Sequence, residues 1–238
     1  MDRPSPVSRR DRPAKPALSQ ETIVDAAMAL LENDGLDAVS MRRVAQSLDT
    51  GPASLYVYVN NRDELIALIM DRIAGEIALP VIGPETDWRA ELIDLMLAAI
   101  KELGRHPGVA VAMFATVPTG PNSLALTEVI LRLLDEGGLS RQAQAWAVDL
   151  LALYIAAAGT EETLYAEQDI GEQGNAEQDN GDVHTGARDV FAGVPPERYP
   201  NIVRLHQELT YGTAEQRTRW SINVLLNGIL ATEAETQV

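Results

Sequence analysis

The residues of this 238-residue chain best suited to proton transfer or metal binding are three histidines, at positions 106, 184 and 206. None has a glutamate three places before it, so the paired Glu-x-x-His ligands of a helical di-metal centre are missing. There is no cysteine, which removes both disulfides and thiolate metal sites. No Gly-rich phosphate loop or nucleophile elbow is present. The acidic run Asp179-Asn180-Gly181-Asp182 lacks the alternating ligands and the closing glutamate of a calcium loop. The expectation is therefore no catalysis, no metal and no cofactor. What remains is anion recognition: Arg42, Arg43 and Arg62 fall close together in the chain, beside Tyr56 and Tyr58, and local arginines can hold phosphates.

The elements that position these side chains lie between Gly35 and Arg62. Ser40 is an N-cap residue, and Met41, Val44, Ala45 and Leu48 follow at the spacing of one helical face. Asp49-Thr50-Gly51 is turn chemistry, with Gly51 free to take a positive φ. Pro52 suits the first turn of a second helix, Ala53 to Tyr58, which turns Leu55 inward and the rest outward. Asn61 with Glu64 three places on opens the next helix in the manner of a capping box. Two short helices joined by a tight turn are a helix-turn-helix, whose second helix would lie in the major groove of DNA.

At Ala45-Gln46-Ser47-Leu48, at Ser54-Leu55-Tyr56 with Tyr58 and Val59, and at Arg62-Asp63-Glu64-Leu65, the sequence resembles the tetracycline-repressor (TetR) family of transcriptional regulators. One departure is visible: Asp49-Thr50 stands where the family usually has glycine and an aliphatic residue. Glu197-Arg198-Tyr199-Pro200 and the final helix from Arg219 to Ile229 resemble that class's ligand-binding and dimerisation domain. The resemblance implies a ligand-responsive regulator, a repressor by family habit, that binds double-stranded operator DNA and a small-molecule effector. It implies phosphate contacts from Ser40, Arg42 and Arg62 and from the hydroxyl of Tyr56 or Tyr58. Arg42 or Arg43 alternatively reads a guanine, and Pro52, Ala53, Ser54 and Val57 occupy groove-facing positions. Tyr56 at its helical spacing is equally consistent with core, and Arg43 with a solvated charge.

His106, Met113, Phe114, Trp146, Tyr154 and Glu162 lie on the helices that this family uses to line its effector cavity. Each has a plainer reading, as core for Met113, Phe114 and Trp146 and as a helix-junction cap for His106. Tetracycline repressors hold a drug–magnesium chelate with a histidine just before their sixth helix. Registering on Gly108 puts Arg105 there, with His106 one place off, so a largely apolar effector is expected instead.

Taken in order, residues 1–18 hold four prolines and five basic side chains without periodicity, an expected disordered arm. A helix from Ser19 to about Asn33, with stripe Ile23, Ala26, Ala27, Leu30 and Leu31, supports the head and stops at Gly35. The DNA-binding domain is expected over 19–62, and over 63–84 a linking helix (about 62–79) followed by the Pro/Gly boundary Pro80 to Pro84. From 85 to 238 the pattern is helical: about 87–104, 107–114, 122–136, 141–167, 196–210 and 214–234. Asn122 and Ser140 are read as caps. The fold class is all-α, a three-helix head and a helical body.

Charge agrees with that division. The chain carries −16 overall, yet residues 1–62 hold eight basic and eight acidic side chains, so the surplus lies entirely in the body. Eight carboxylates and no Lys or Arg fall in 161–182, and a mobile acidic loop is expected at about 168–192. This loop supports the alternative of a helical protein-interaction module without specific DNA binding. The last helix is apolar on two sides, with Ile222, Leu225, Leu226, Ile229 and Leu230 on one and Trp220, Val224, Asn227 and Gly228 on another. That requires a second cover, supplied by a homodimer through about 141–167 and 214–234. No secretory signal is read, and the apolar stretch 143–159 is shorter than a membrane span, so a cytoplasmic protein without membrane contact is expected.

Overall fold

The computed structural model describes residues 17–115, 117–171 and 185–232. The basic arm and the centre of the acidic loop lie outside the described residues. Among the described ones there are eleven α-helices and no strand.

The head is built by α1 (Gln20–Asp34), α2 (Met41–Ser47) and α3 (Pro52–Leu55). Ser19 caps α1 in a complete capping box with Thr22, and Gly35 ends it at a positive φ of 76°, the glycine stop the sequence predicts. Ile23, Ala27 and Leu31 turn inward and meet Val39, Val44, Ala45, Leu55 and Val59, and Val24 is buried as well. Ala26 and Leu30 of the predicted stripe are only partly buried.

Helix α4 (Arg62–Gly75) leaves the head and packs mainly on α7 (Pro121–Glu136), with α5 (Trp88–Gly104) beside it. It stops four residues short of the predicted end, although Ile77 beyond it is still buried. The body's centre is the pair α5 and α8 (Arg141–Gly171), whose contact is the largest between any two described elements. Leu92, Leu95, Met96, Ala99 and Leu103 of α5 meet Ala147, Leu151, Ile155 and Ala158 of α8. Gly159 lets the two backbones close up: a side chain there would press on Leu103. By length and composition residues 141–164 of α8 pass for a membrane span, contrary to the sequence expectation. The packing of α8 on α5 accounts for its apolarity on that side.

The short α6 (Val109–Ala112), α9 (Thr185–Gly193), α10 (Pro200–Leu209) and α11 (Ala214–Ala231) complete the body. Four local expectations are corrected. The second head helix is one turn, residues 52–55, rather than reaching Tyr58. Helix α8 runs to Gly171 and α9 begins at Thr185, so both flanks of the expected 168–192 loop are helical. Helix α10 begins at Pro200, because that proline holds Tyr199 before it out of the helical region and itself suits the first helical position. Finally, Asn122 does not cap α7: Gly120 is the N-cap position, and it has no side chain with which to cap.

Candidate nucleic-acid interface and effector site

The turn between α2 and α3 decides which side chains can reach a duplex. Asp49, not Gly51, takes the positive φ, at 49°, while Gly51 is extended at φ −85°. Aspartate is among the non-glycine residues that most readily enter the left-handed region. The reversal therefore begins at the first residue after Leu48, and Gly51 is left as the N-cap of α3. From there Leu55 points wholly inward. Pro52, Ala53, Ser54, Tyr56, Val57 and Tyr58 are all exposed, with Val57 at 78 % and Tyr56 at 51 %. Tyr56 is thus a surface residue, not core.

The cationic and hydroxyl groups divide by what already holds them. Ser40 accepts the backbone N–H of Arg43 at 3.3 Å as the N-cap of α2. Arg43 is drawn to Asp34 at the end of α1 in an exposed ion pair. Arg62 donates from Nε to the Val39 carbonyl at 2.9 Å and from its terminal nitrogen to the Leu36 carbonyl at 3.2 Å. Its guanidinium thereby pins the start of α4 to the segment before α2. That engagement uses two of the donors of the predicted phosphate ligand. Arg42 is exposed and shares an open depression with Gln46, Asp49, Thr50, Gly51 and Pro52, so the structure brings Arg42 and the start of α3 together. Gln46 was missed by sequence reasoning. The available signal was its place one turn after Arg42 on the exposed face of α2, and its amide suits an adenine edge.

The six predicted effector residues sit in different settings. Tyr154 and Glu162 do meet, in a cleft of about 230 Å³ between α8 and α11 that Ala158, Glu161, Arg217 and Ser221 also line. The Tyr154 hydroxyl lies 3.5 Å from the Thr218 carbonyl, at the limit of a hydrogen bond. This cleft is lined mostly by polar side chains, unlike the expected apolar chamber. His106 is buried, its Nε2 3.5 Å from a Glu102 carboxylate oxygen and its Nδ1 without a hydrogen-bond partner. Met113 is half-buried against the core. Phe114 and Trp146 face outward, 56 % and 59 % exposed, so neither is core. A second, larger cleft of about 860 Å³ separates head from body, between Leu36, Arg62, Asp63 and Ile66 on one wall and Pro107, Gly108, Val111 and Val117 on the other. Sequence reasoning missed it because its walls come from segments far apart in the chain.

Comparison with known proteins follows the same division into head and body. Residues 23–69 match the family model of bacterial regulatory proteins of the tetR family, and residues 80–232 match the tetracyclin repressor-like C-terminal domain. The chain is 36 % identical over 157 residues to an HTH-type transcriptional regulator of Saccharopolyspora erythraea, covering 65 % of each. It is 31 % identical to the HTH-type transcriptional repressor DrrR1 of Streptomyces coeruleorubidus, over 67 % of this chain and 59 % of that protein. The matched stretch thus spans just under two thirds of the length of these curated relatives. Among solved structures it resembles the Streptomyces coelicolor TetR family protein ActR in complex with actinorhodin. There the identity is 30 %, the TM-score 0.78, and the coverage 92 % of this chain and 99 % of that one.

Proposed function

The chain belongs to the tetR family of bacterial regulatory proteins, and from that premise we propose that it is a transcriptional repressor released from DNA by a small effector. Regulators of this family act by binding DNA, not as enzymes. The observation that carries the reading is the one-sided head: α2 and α3 bury every residue that fixes their shape and expose a contiguous set of polar, apolar and cationic groups. Arg42 holds a phosphate or a guanine, Gln46 and Ser54 meet base edges, and Val57 and Ala53 meet thymine methyls. Arg62 positions the head from within, and Tyr56 and Tyr58 supply hydroxyls to the backbone.

Dimerisation rests on faces that the chain leaves bare. On α8, Trp146, Leu150 and Leu153 follow one another at helical spacing and are all exposed, as are Trp220 and Val224 on α11. The opposite sides of both helices are buried in the body, through Leu151 and Ile155 and through Ile222 and Leu226. A two-fold partner covers the bare sides, and it sets two heads roughly 34–36 Å apart on a palindromic operator. Trp146 thereby moves from the effector site to the dimer interface. The effector enters the body near Tyr154 and Glu162, and it favours the state that does not fit DNA by ~1–3 kcal/mol.

The test is an anisotropy titration of operator duplex with the full chain, repeated with added actinorhodin, the compound named for ActR, and with an unrelated set of apolar compounds. Release by any of them, stoichiometric per dimer, is the expected result. A complex that no compound shifts, from a protein shown to bind DNA specifically, overturns the effector part of the reading.

A further inference from the structure

The body helix α7 begins without a cap of its own. Its N-cap position is Gly120, followed by Pro121, and neither offers a side-chain acceptor to the free N–H groups of the first turn. The acceptor comes from another helix. Asp71 of α4 is buried, and its Oδ1 accepts the Ser123 N–H at 2.8 Å while Oδ2 accepts from the Asn122 side-chain amide at 3.2 Å. The same amide also donates to the Asp71 carbonyl at 3.1 Å. A carboxylate at a helix N-terminus gains from the hydrogen bond and from the helix dipole together.

The surroundings are shaped to this contact. A methyl group at position 120 would collide with the Asp71 carboxyl, although the backbone there, at φ −73°, accepts any residue. A side chain at Gly75, one turn further along α4, would come within 2.9 Å of the Asn122 amide. The two helices are therefore close only because both glycines are present. The next residue of α4 faces the other way: Arg72 pairs with Asp25 of α1 at 3.1 Å.

We propose that Asp71 is the positioning residue that locks the DNA-reading head onto the body, by capping α7 from the linking helix while Arg72 ties that helix to α1. The functional half of this inference rests on the reading of the head as the operator-binding unit. With the cap made, α4 holds one angle to α7, and the head is preorganised. When α7 shifts, its N-terminus carries α4 with it through the buried carboxylate, and the head follows. The adjacent ion pair is exposed and contributes little alone. The buried cap is what makes the joint stiff.

The chain has no cysteine, so paired spin labels can be placed at will. Glu32→Cys on α1 and Lys101→Cys on α5 are both exposed and report the head-to-body distance, with the labelled full chain diluted in unlabelled protein. The parent should give one narrow distance, Asp71→Ala a broad distribution, and Asp71→Asn, which keeps the acceptor for Ser123, a narrow one again. Gly120→Ala leaves Asp71 in place but pushes it off the helix end, and it should broaden the distribution as Asp71→Ala does. Asp71→Ala should also bind a selected operator about three- to tenfold more weakly, the cost of ordering the head on binding. A distribution as narrow in Asp71→Ala and Gly120→Ala as in the parent overturns the inference. If the parent itself selects no operator, the functional reading fails while the distances still decide the joint.

Discussion

Replacing Leu153 by lysine should split the dimer. Leu153 is 51 % exposed on α8 between Leu150 and Ala157, on the face that Trp146 begins. Trp146, Leu150, Leu164, Trp220 and Val224 are exposed beside it, the apolar centre of a seam whose standard size is about 800 Å² per partner. A two-fold axis repeats the change, so two ammonium groups enter the same seam. Each loses the burial of a leucine and adds the desolvation of a charge, together at least about 2 kcal/mol. Two of them weaken association by about 4 kcal/mol, or roughly a thousandfold in dissociation constant. Sedimentation velocity over a concentration series reads this directly. Glu128→Lys, exposed on α7 and far from the seam, is the control and should leave the dimer intact. Circular dichroism should show both variants fully helical. A Leu153→Lys protein that remains dimeric at the parent's dissociation constant would refute the assignment of the bare faces of α8 and α11.

Three further outcomes follow from the head. Arg42→Ala should weaken operator binding about tenfold at physiological salt, and if Arg42 holds a phosphate it should lower the salt slope by about one. Titrations at several salt concentrations check both. Asp49→Gly relieves a side chain at positive φ but frees the unfolded chain, so the net gain should be no more than about 1 kcal/mol, seen as a small rise in Tm with operator sequence preference retained. Leu55→Ala removes a fully buried side chain from beneath α3 and should cost about 2–4 kcal/mol, with DNA binding lost before the body unfolds in a denaturant series.

Local chemistry was legible in the sequence wherever the partner residue was near in the chain. Ser19, Ser40, Asn61 and Ser140 cap the helices they were expected to cap. Gly35 stops α1 as predicted, and the helix-turn-helix of the head follows from the spacing of Val44, Ala45 and Leu55. Distance along the chain hid the rest. Nothing local marks Asp71 as the cap of a helix fifty residues on, and Asn122, the obvious candidate beside that helix, stood in for it. The turn was misread at one residue, because glycine's freedom at Gly51 is a permission, whereas the geometry after Leu48 is a demand that Asp49 meets.

The effector residues were hardest for a different reason. Helix α8 is apolar nearly all round, so periodicity does not say which of its sides faces the body, a ligand or a second chain. Trp146 and Tyr154 sit on one helix, but the structure leaves Trp146 bare and half-buries Tyr154 against α11. Phe114, on the 3₁₀ turn that follows the single turn of α6, is exposed rather than core, the plainer of its two sequence readings.

The central claim is specific operator recognition by a dimer, and selection of bound duplexes from a random DNA pool at physiological salt tests it most directly. The account predicts one enriched palindrome whose half-site centres lie about one helical turn apart, and loss of that enrichment in Arg42→Ala. Recovery of no preferred sequence, or of binding that modest salt abolishes equally for every duplex, would contradict it.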